Sequence, residues 1–172
     1  VDLRGILDET ISTWQRERPD LDLDAMATTL RLNALVAVGS RIIESVLGEH
    51  QLTLGEFDVL AALRRNGLGA ELTPTTLATV AMVSPSGLTN RLDRLEAAGH
   101  IGRRADPSDR RGSLISLTPV GEKVVDRAIE DVAAAEHEFF GSIGAPERAR
   151  FDRTLNKLID RLSTPPPDDP DQ

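Results

Sequence analysis

The stretch TPTTLATVAMVSPSGLTNRLDRLEAAGHIGRRADPSDRRGSLISLTP, residues 73–119, decides the fold. It contains two helix starts of the same form. Thr73-Pro74 and Ser84-Pro85 each place a hydroxyl at an N-cap and a proline at the first helical position, where the missing N–H has no intrahelical partner to lose. The spacing predicts a short helix over 74–81, with Leu77, Val80 and Ala81 inward, and a second over 85–98. Only Met82-Val83-Ser84 separates them, which reads as helix-turn-helix. The period then changes. Ile101, Arg103 and Arg104 precede a loop from Ala105 to Gly112, and Ser113 to Thr118 is a short, partly β-branched run. That pattern predicts a two-stranded hairpin with a tip over 105–112. The expected fold is mainly α, a winged helix-turn-helix with a β-hairpin wing.

Working outward, Thr53-Leu54-Gly55-Glu56 has capping-box spacing, and Asn66-Gly67 stops the helix it begins. The winged-helix lobe therefore spans 53–118. Before it, Leu3, Ile6, Leu7, Ile11 and Trp14 recur at helical spacing in an extra N-terminal helix within 1–18, ending ahead of Pro19. A long helix follows over 24–50. After the lobe, Thr118-Pro119 opens another, and Pro146 opens the last, together covering 119–162. The outer helices, with Phe139, Phe140 and Phe151, are expected to form a dimerisation region. Residues 163–172, rich in Pro and Asp, cannot bury apolar surface and read as a disordered tail.

Net charge is −8 over 172 residues, which taken whole argues against a polyanionic partner. Division of the chain reverses that inference. Leu88 to Arg111 holds six Arg against four acids, so this segment is +2 and the remainder −10. The basic charge thus lies on the unit expected to meet DNA. Along 85–98, Leu88, Leu92 and Leu95 share one face, while Ser86, Asn90, Asp93 and Ala97 occupy the other, with Arg94 beside them. Ser, Asn and Arg can hydrogen-bond base edges or phosphates; an ordinary solvated face would look the same. Asp106 and Asp109 are expected to pair with neighbouring Arg and hold the wing tip in one shape.

Asp109-Arg110-Arg111-Gly112-Ser113-Leu114-Ile115-Ser116-Leu117-Thr118 resembles the D-x-R-x5-L-T wing signature of MarR transcriptional regulators. The flanking Leu92-Asp93-Arg94-Leu95-Glu96 and Thr118-Pro119-Val120-Gly121 fit as well. The resemblance implies a homodimeric repressor on a pseudo-palindromic double-stranded operator. Ser84, Ser86, Asn90, Arg94, Arg104, Arg110 and Arg111 would then meet DNA, with Arg111 in the minor groove and half-sites about one helical turn apart.

The segment from Trp14 to Asp22 and the run Glu56-Phe57-Asp58-Val59-Leu60 are similar to the urate-responsive branch of that family. The resemblance implies a ligand site of Trp14, Asp58, Arg91 and Arg103, taking urate or a related purine or phenolic acid. Arg91 falls about 60° from the apolar centre of its helix, on the flank that can reach a carboxylate. A Trp ring offers a flat platform, and Arg suits an anionic oxygen. Two plainer readings stand beside this one: a structural Asp58–Arg91 ion pair, and a Trp14 buried in core or interface.

The chain has no Cys, which excludes disulfides, thiol sensing and Cys-based zinc sites. His50, His100 and His137 are scattered, so neither a metal site nor a catalytic set is expected, and no cofactor fingerprint is present. With no apolar run of membrane-spanning length, a cytoplasmic, non-membrane protein is the default expectation. The competing function is a winged-helix protein-interaction module without specific DNA binding.

Overall fold

A computed structural model describes residues 2–109 and 112–163; for Pro85, Ser86 and Ser163 it describes the backbone alone. The readings for Arg110, Arg111, the Ser86 side chain and residues 164–172 lie outside the described residues. In order, the elements are α1 (Leu3–Glu17), α2 (Asp24–Glu49), α3 (Leu54–Arg65), α4 (Pro74–Val80), α5 (Pro85–Ala97), β1 (Ile101–Ala105), β2 (Ser113–Leu117), α6 (Pro119–Phe139) and α7 (Ala145–Ser163).

The chain divides into compact units of residues 1–135 and 136–172. In the first, one apolar core joins α2, α3, α4, α5, the hairpin and α6. Leu47, Leu60, Leu63, Leu77, Leu95, Ile115 and Val125 are fully enclosed there. In the second, the rings of Phe139 and Phe140 meet edge to face at 5.0 Å, a favoured aromatic geometry.

The helix starts follow the caps. Thr53 Oγ1 accepts from Glu56 N while the Glu56 carboxylate accepts from Thr53 N at 2.9 Å, completing a capping box. Thr73 and Ser84 accept from the N–H groups of Thr76 and Gly87. Helix α3 ends at Arg65, and Gly67 takes φ +108° beyond it, a conformation glycine adopts without strain.

The hairpin pairs Ile101 with Leu117 through Ala105 with Ser113. Ala105 therefore belongs to β1, and the tip is one residue shorter than the sequence pattern suggests. The segment before α4 adds a bridge, with Leu72 and Ile115 exchanging both backbone hydrogen bonds at 3.0 and 2.9 Å. The described part of the tip is organised by Asp106. The Asp106 carboxylate accepts from Ser108 N at 2.8 Å and Ser108 Oγ at 2.7 Å. Asp106 closes a local turn of the kind Asp side chains favour, and it also feels the Arg104 charge.

The exit from the wing is tight. Thr118 N donates to His100 O at 3.0 Å, Thr118 Oγ1 donates to Gly99 O at 2.6 Å, and the same oxygen accepts from Gly121 N at 3.0 Å. Gly121 is buried against the His100 backbone, where no Cβ fits.

Candidate nucleic-acid interface

Helices α4 and α5 are joined by a turn in which Met82 takes φ +54°. Met82 N donates to Thr79 O at 3.2 Å and Val83 N to Ala78 O at 3.0 Å. Leu88, Leu92 and Leu95 seat α5 in the core, leaving Asn90, Asp93 and Arg94 exposed as the helical period predicts. The backbone thus forms the helix-turn-helix and wing, with the polar face of α5 open. Ser84 is exposed and caps α5.

The arginines around this face are directed by carboxylates. Arg94 Nε donates to Glu56 Oε1 at 2.7 Å, crossing to the start of α3. Arg103 binds Asp93 at 2.5 Å and Glu96 at 2.9 Å, tying β1 to α5. Arg104 grips both oxygens of Glu71, a fork-on-fork arrangement that adds directional specificity. The Glu71 carboxyl is held below its usual range by that hydrogen bond. Burial acts to raise the Glu56 carboxyl, but hydrogen bonds from Thr53 and Arg94 outweigh it and the net shift is downward.

The residues expected to hold a ligand are brought together in part. Arg91 lies across Gly55 of α3, where any Cβ would collide with its guanidinium. A glycine here leaves the guanidinium that position, at a helix penalty of about 1 kcal/mol. Asp58 feels the Arg91 charge, without a hydrogen bond between them, and feels Arg65 as well. Burial nevertheless dominates and pushes the Asp58 carboxyl up. Among the described residues, Arg91 Nη1 is buried with no hydrogen-bond partner, an arrangement that is costly for a charged donor. Arg103, in the middle of β1, takes Asp93 and Glu96 as its partners. It borders a cleft of about 410 Å³ with Thr75, Thr79, Leu88, Thr89 and Leu92. Trp14 sits on α1 with 48% of its surface exposed, so in the single chain it is not a core residue.

Comparison with known proteins decides the family. A sequence model described as MarR family matches residues 50–112. The HTH-type transcriptional regulator PecS of Dickeya dadantii is 31% identical over 154 residues, 90% of this chain and 93% of its own length. The chain belongs to the MarR family. Within the family, the HTH-type transcriptional repressor Rv2887 of Mycobacterium tuberculosis is 33% identical over 67% of this chain and 81% of its own. The crystal structure of a mutant MarR from E. coli complexed with operator DNA superposes with a TM-score of 0.68 at 26% identity, covering 84% of this chain and 96% of that one. This MarR-family protein is a DNA-binding transcriptional regulator, and its relatives are regulators, not enzymes. Among the described residues no helix is long and apolar enough to cross a membrane, and no acidic or His cluster is suited to a metal.

Sequence reasoning missed the carboxylates of this MarR-family interface. In the sequence Asp93 is one more polar residue on the open face of its helix, and Glu56 reads as a capping residue. Glu71 carries no signal at all, because its partner lies 33 residues away.

Proposed function

We propose that this MarR-family regulator is a homodimeric repressor that leaves a pseudo-palindromic operator when a small anionic aromatic ligand, urate or a close relative, binds it. Ser84, Ser86, Asn90, Arg94, Arg104, Arg110 and Arg111 meet DNA. Trp14, Asp58, Arg91 and Arg103 meet the ligand. Residues 53–118 form the DNA-binding lobe, 1–18 the extra helix, and 24–50 with 119–162 the dimerisation region of a cytoplasmic protein.

The observation that carries the ligand reading is the buried, unpartnered Arg91 Nη1 beside a half-buried Asp58. A buried guanidinium donor lacking an acceptor gains about 1.5–3 kcal/mol from a charged hydrogen bond, which an anion would supply. Arg91 is on α5, so a ligand that recruits it acts directly on the DNA-reading helix. Occupancy then shifts the population away from operator spacing, since both half-sites must be met together. Exposed apolar residues on the outer helices, Leu35, Val36 and Leu162 among them, support a partner copy there.

Titration of urate into an operator-bound sample tests the reading. Release at millimolar urate, and loss of the response in Arg91→Gln with operator binding retained, is the expected result. Operator affinity that stays constant through that titration rejects urate as effector.

A further inference from the structure

Of the four arginines described on the basic segment, Arg94, Arg103 and Arg104 are held by carboxylates, Arg94 by Glu56. Arg103 holds Asp93 and Glu96, and Arg104 holds Glu71. These carboxylates are built into the lobe. Glu71 precedes Leu72, whose backbone is bonded to β2, so its position beside the wing is fixed, and Arg104 reaches it across that strand. Asp93 and Glu96 lie three residues apart on α5, on one side of the helix. Successive side chains leave a strand on opposite faces, so Arg103 and Arg104 of β1 are gripped from two sides.

We propose that Glu71, Asp93 and Glu96 are internal counter-ions that compete with DNA phosphate for Arg104 and Arg103, and that they set the protein's sequence-independent affinity for DNA. The proposal rests on the DNA-binding reading of this face, and it adds to Arg103, assigned above to the ligand, a phosphate contact in the ligand-free state. A phosphate oxygen and a carboxylate oxygen offer a guanidinium the same charge-assisted, forked geometry. An Arg neutralised by a fixed carboxylate brings little net charge to the duplex and so releases few of its counter-ions. The salt dependence of binding is therefore shallower than the number of arginines on the face implies. The Glu71 carboxyl, held below its usual range, stays ionised at neutral pH and keeps competing.

The test measures binding of the full chain to a random-sequence duplex by anisotropy over a salt series. The variants are Glu71→Gln, the double variant Asp93→Asn/Glu96→Gln, and Glu71→Asp. Glu130→Gln, an equal charge change at an exposed position on α6, controls for net charge. Thermal melts confirm that each variant folds. Glu71→Gln is expected to steepen the log–log salt slope by about 0.9 for the single freed Arg, roughly a threefold extra change in affinity for each fourfold change in salt. The double variant shifts the same way, while Glu71→Asp and Glu130→Gln keep the wild-type slope. An unchanged slope in both Glu71→Gln and the double variant, or an equal change in Glu130→Gln, overturns the proposal while leaving DNA binding intact. Absence of duplex binding by wild type and all variants overturns the DNA-binding reading itself.

Discussion

Gly121→Ala tests the junction between wing and α6. A Cβ at this position would overlap His100 O and lie 2.8 Å from His100 C and 3.1 Å from His100 Cα. Ordinary carbon–carbon contact begins near 3.5 Å, so the carbonyl carbon alone requires a retreat of about 0.7 Å. The obstacle is backbone, held by Thr118 N at 3.0 Å and unable to turn aside as a side chain would. Overpacking of this kind costs about 1–3 kcal/mol. Stretching the Thr118 hydrogen bonds to Gly99 and His100 adds about 1 kcal/mol each if they are lost. Against this stands a helix-propensity gain of up to about 1 kcal/mol for Ala over Gly. The balance is a destabilisation of about 2 kcal/mol, a fall in Tm of roughly 4–8 °C for a chain of this size. Gly48→Ala, on α2 with open space around its Cβ, takes the propensity gain alone and is the control. Thermal and urea melts of both variants decide the matter. If Gly121→Ala melts at or above wild type, the steric account of this junction is wrong.

Glu56→Ala removes a capping-box acceptor and the partner of Arg94, and should cost about 1–2 kcal/mol by urea melt. Because the Glu56 carboxyl is held below its ordinary range, its stabilisation is present above the unfolded-chain value of about 4.3 and is lost as pH falls through the folded value. Glu56→Gln should therefore flatten the acid side of the Tm–pH curve, and an unaltered acid side would count against the ion pair. For Asp58, burial outweighs the attraction of Arg91 and Arg65, so a carbon-detected NMR titration should find its midpoint above the ordinary Asp range. Arg91→Gln should raise that midpoint further, and a fall would show that Arg91 is not the neighbouring charge. Asn90→Ala should lower the preference for operator over scrambled duplex by about 1–3 kcal/mol while sparing affinity for the scrambled one. An equal loss on both would place Asn90 on phosphate.

The elements are legible in the sequence because their signals are local. Thr53 with Glu56, and Thr73 and Ser84 before prolines, are caps that act within three residues. Leu88, Leu92 and Leu95 share a face whatever surrounds them. The Leu72–Ile115 bridge is not legible, since a one-residue pairing leaves no periodicity to detect. Nor are the ion pairs. Arg94 reaches Glu56 across 38 residues and Arg104 reaches Glu71 across 33. A helical wheel fixes where a Cβ points, but the far end of an Arg side chain is placed by whichever carboxylate the tertiary fold brings near. The same limit explains Asp58 and Arg91. The family resemblance pairs them and the helical period puts Arg91 on a flank able to reach a carboxylate, but their nearness across two helices and the burial that lifts the Asp58 carboxyl belong to the packed state.

Thr118 alone stands between the last residue of β2 and the first of α6, and its N–H and hydroxyl are both spent on that corner. The lobe is consequently joined to α6 without slack. Insertion of one residue at the start of α6 would turn everything beyond it by about 100° and advance it by about 1.5 Å. Length is thus a forbidden variable at this corner: small adjustments of reach are not on offer, only abrupt changes of facing. A descendant that had to address sites spaced differently would need to alter side chains along the helices and leave the corner as it is.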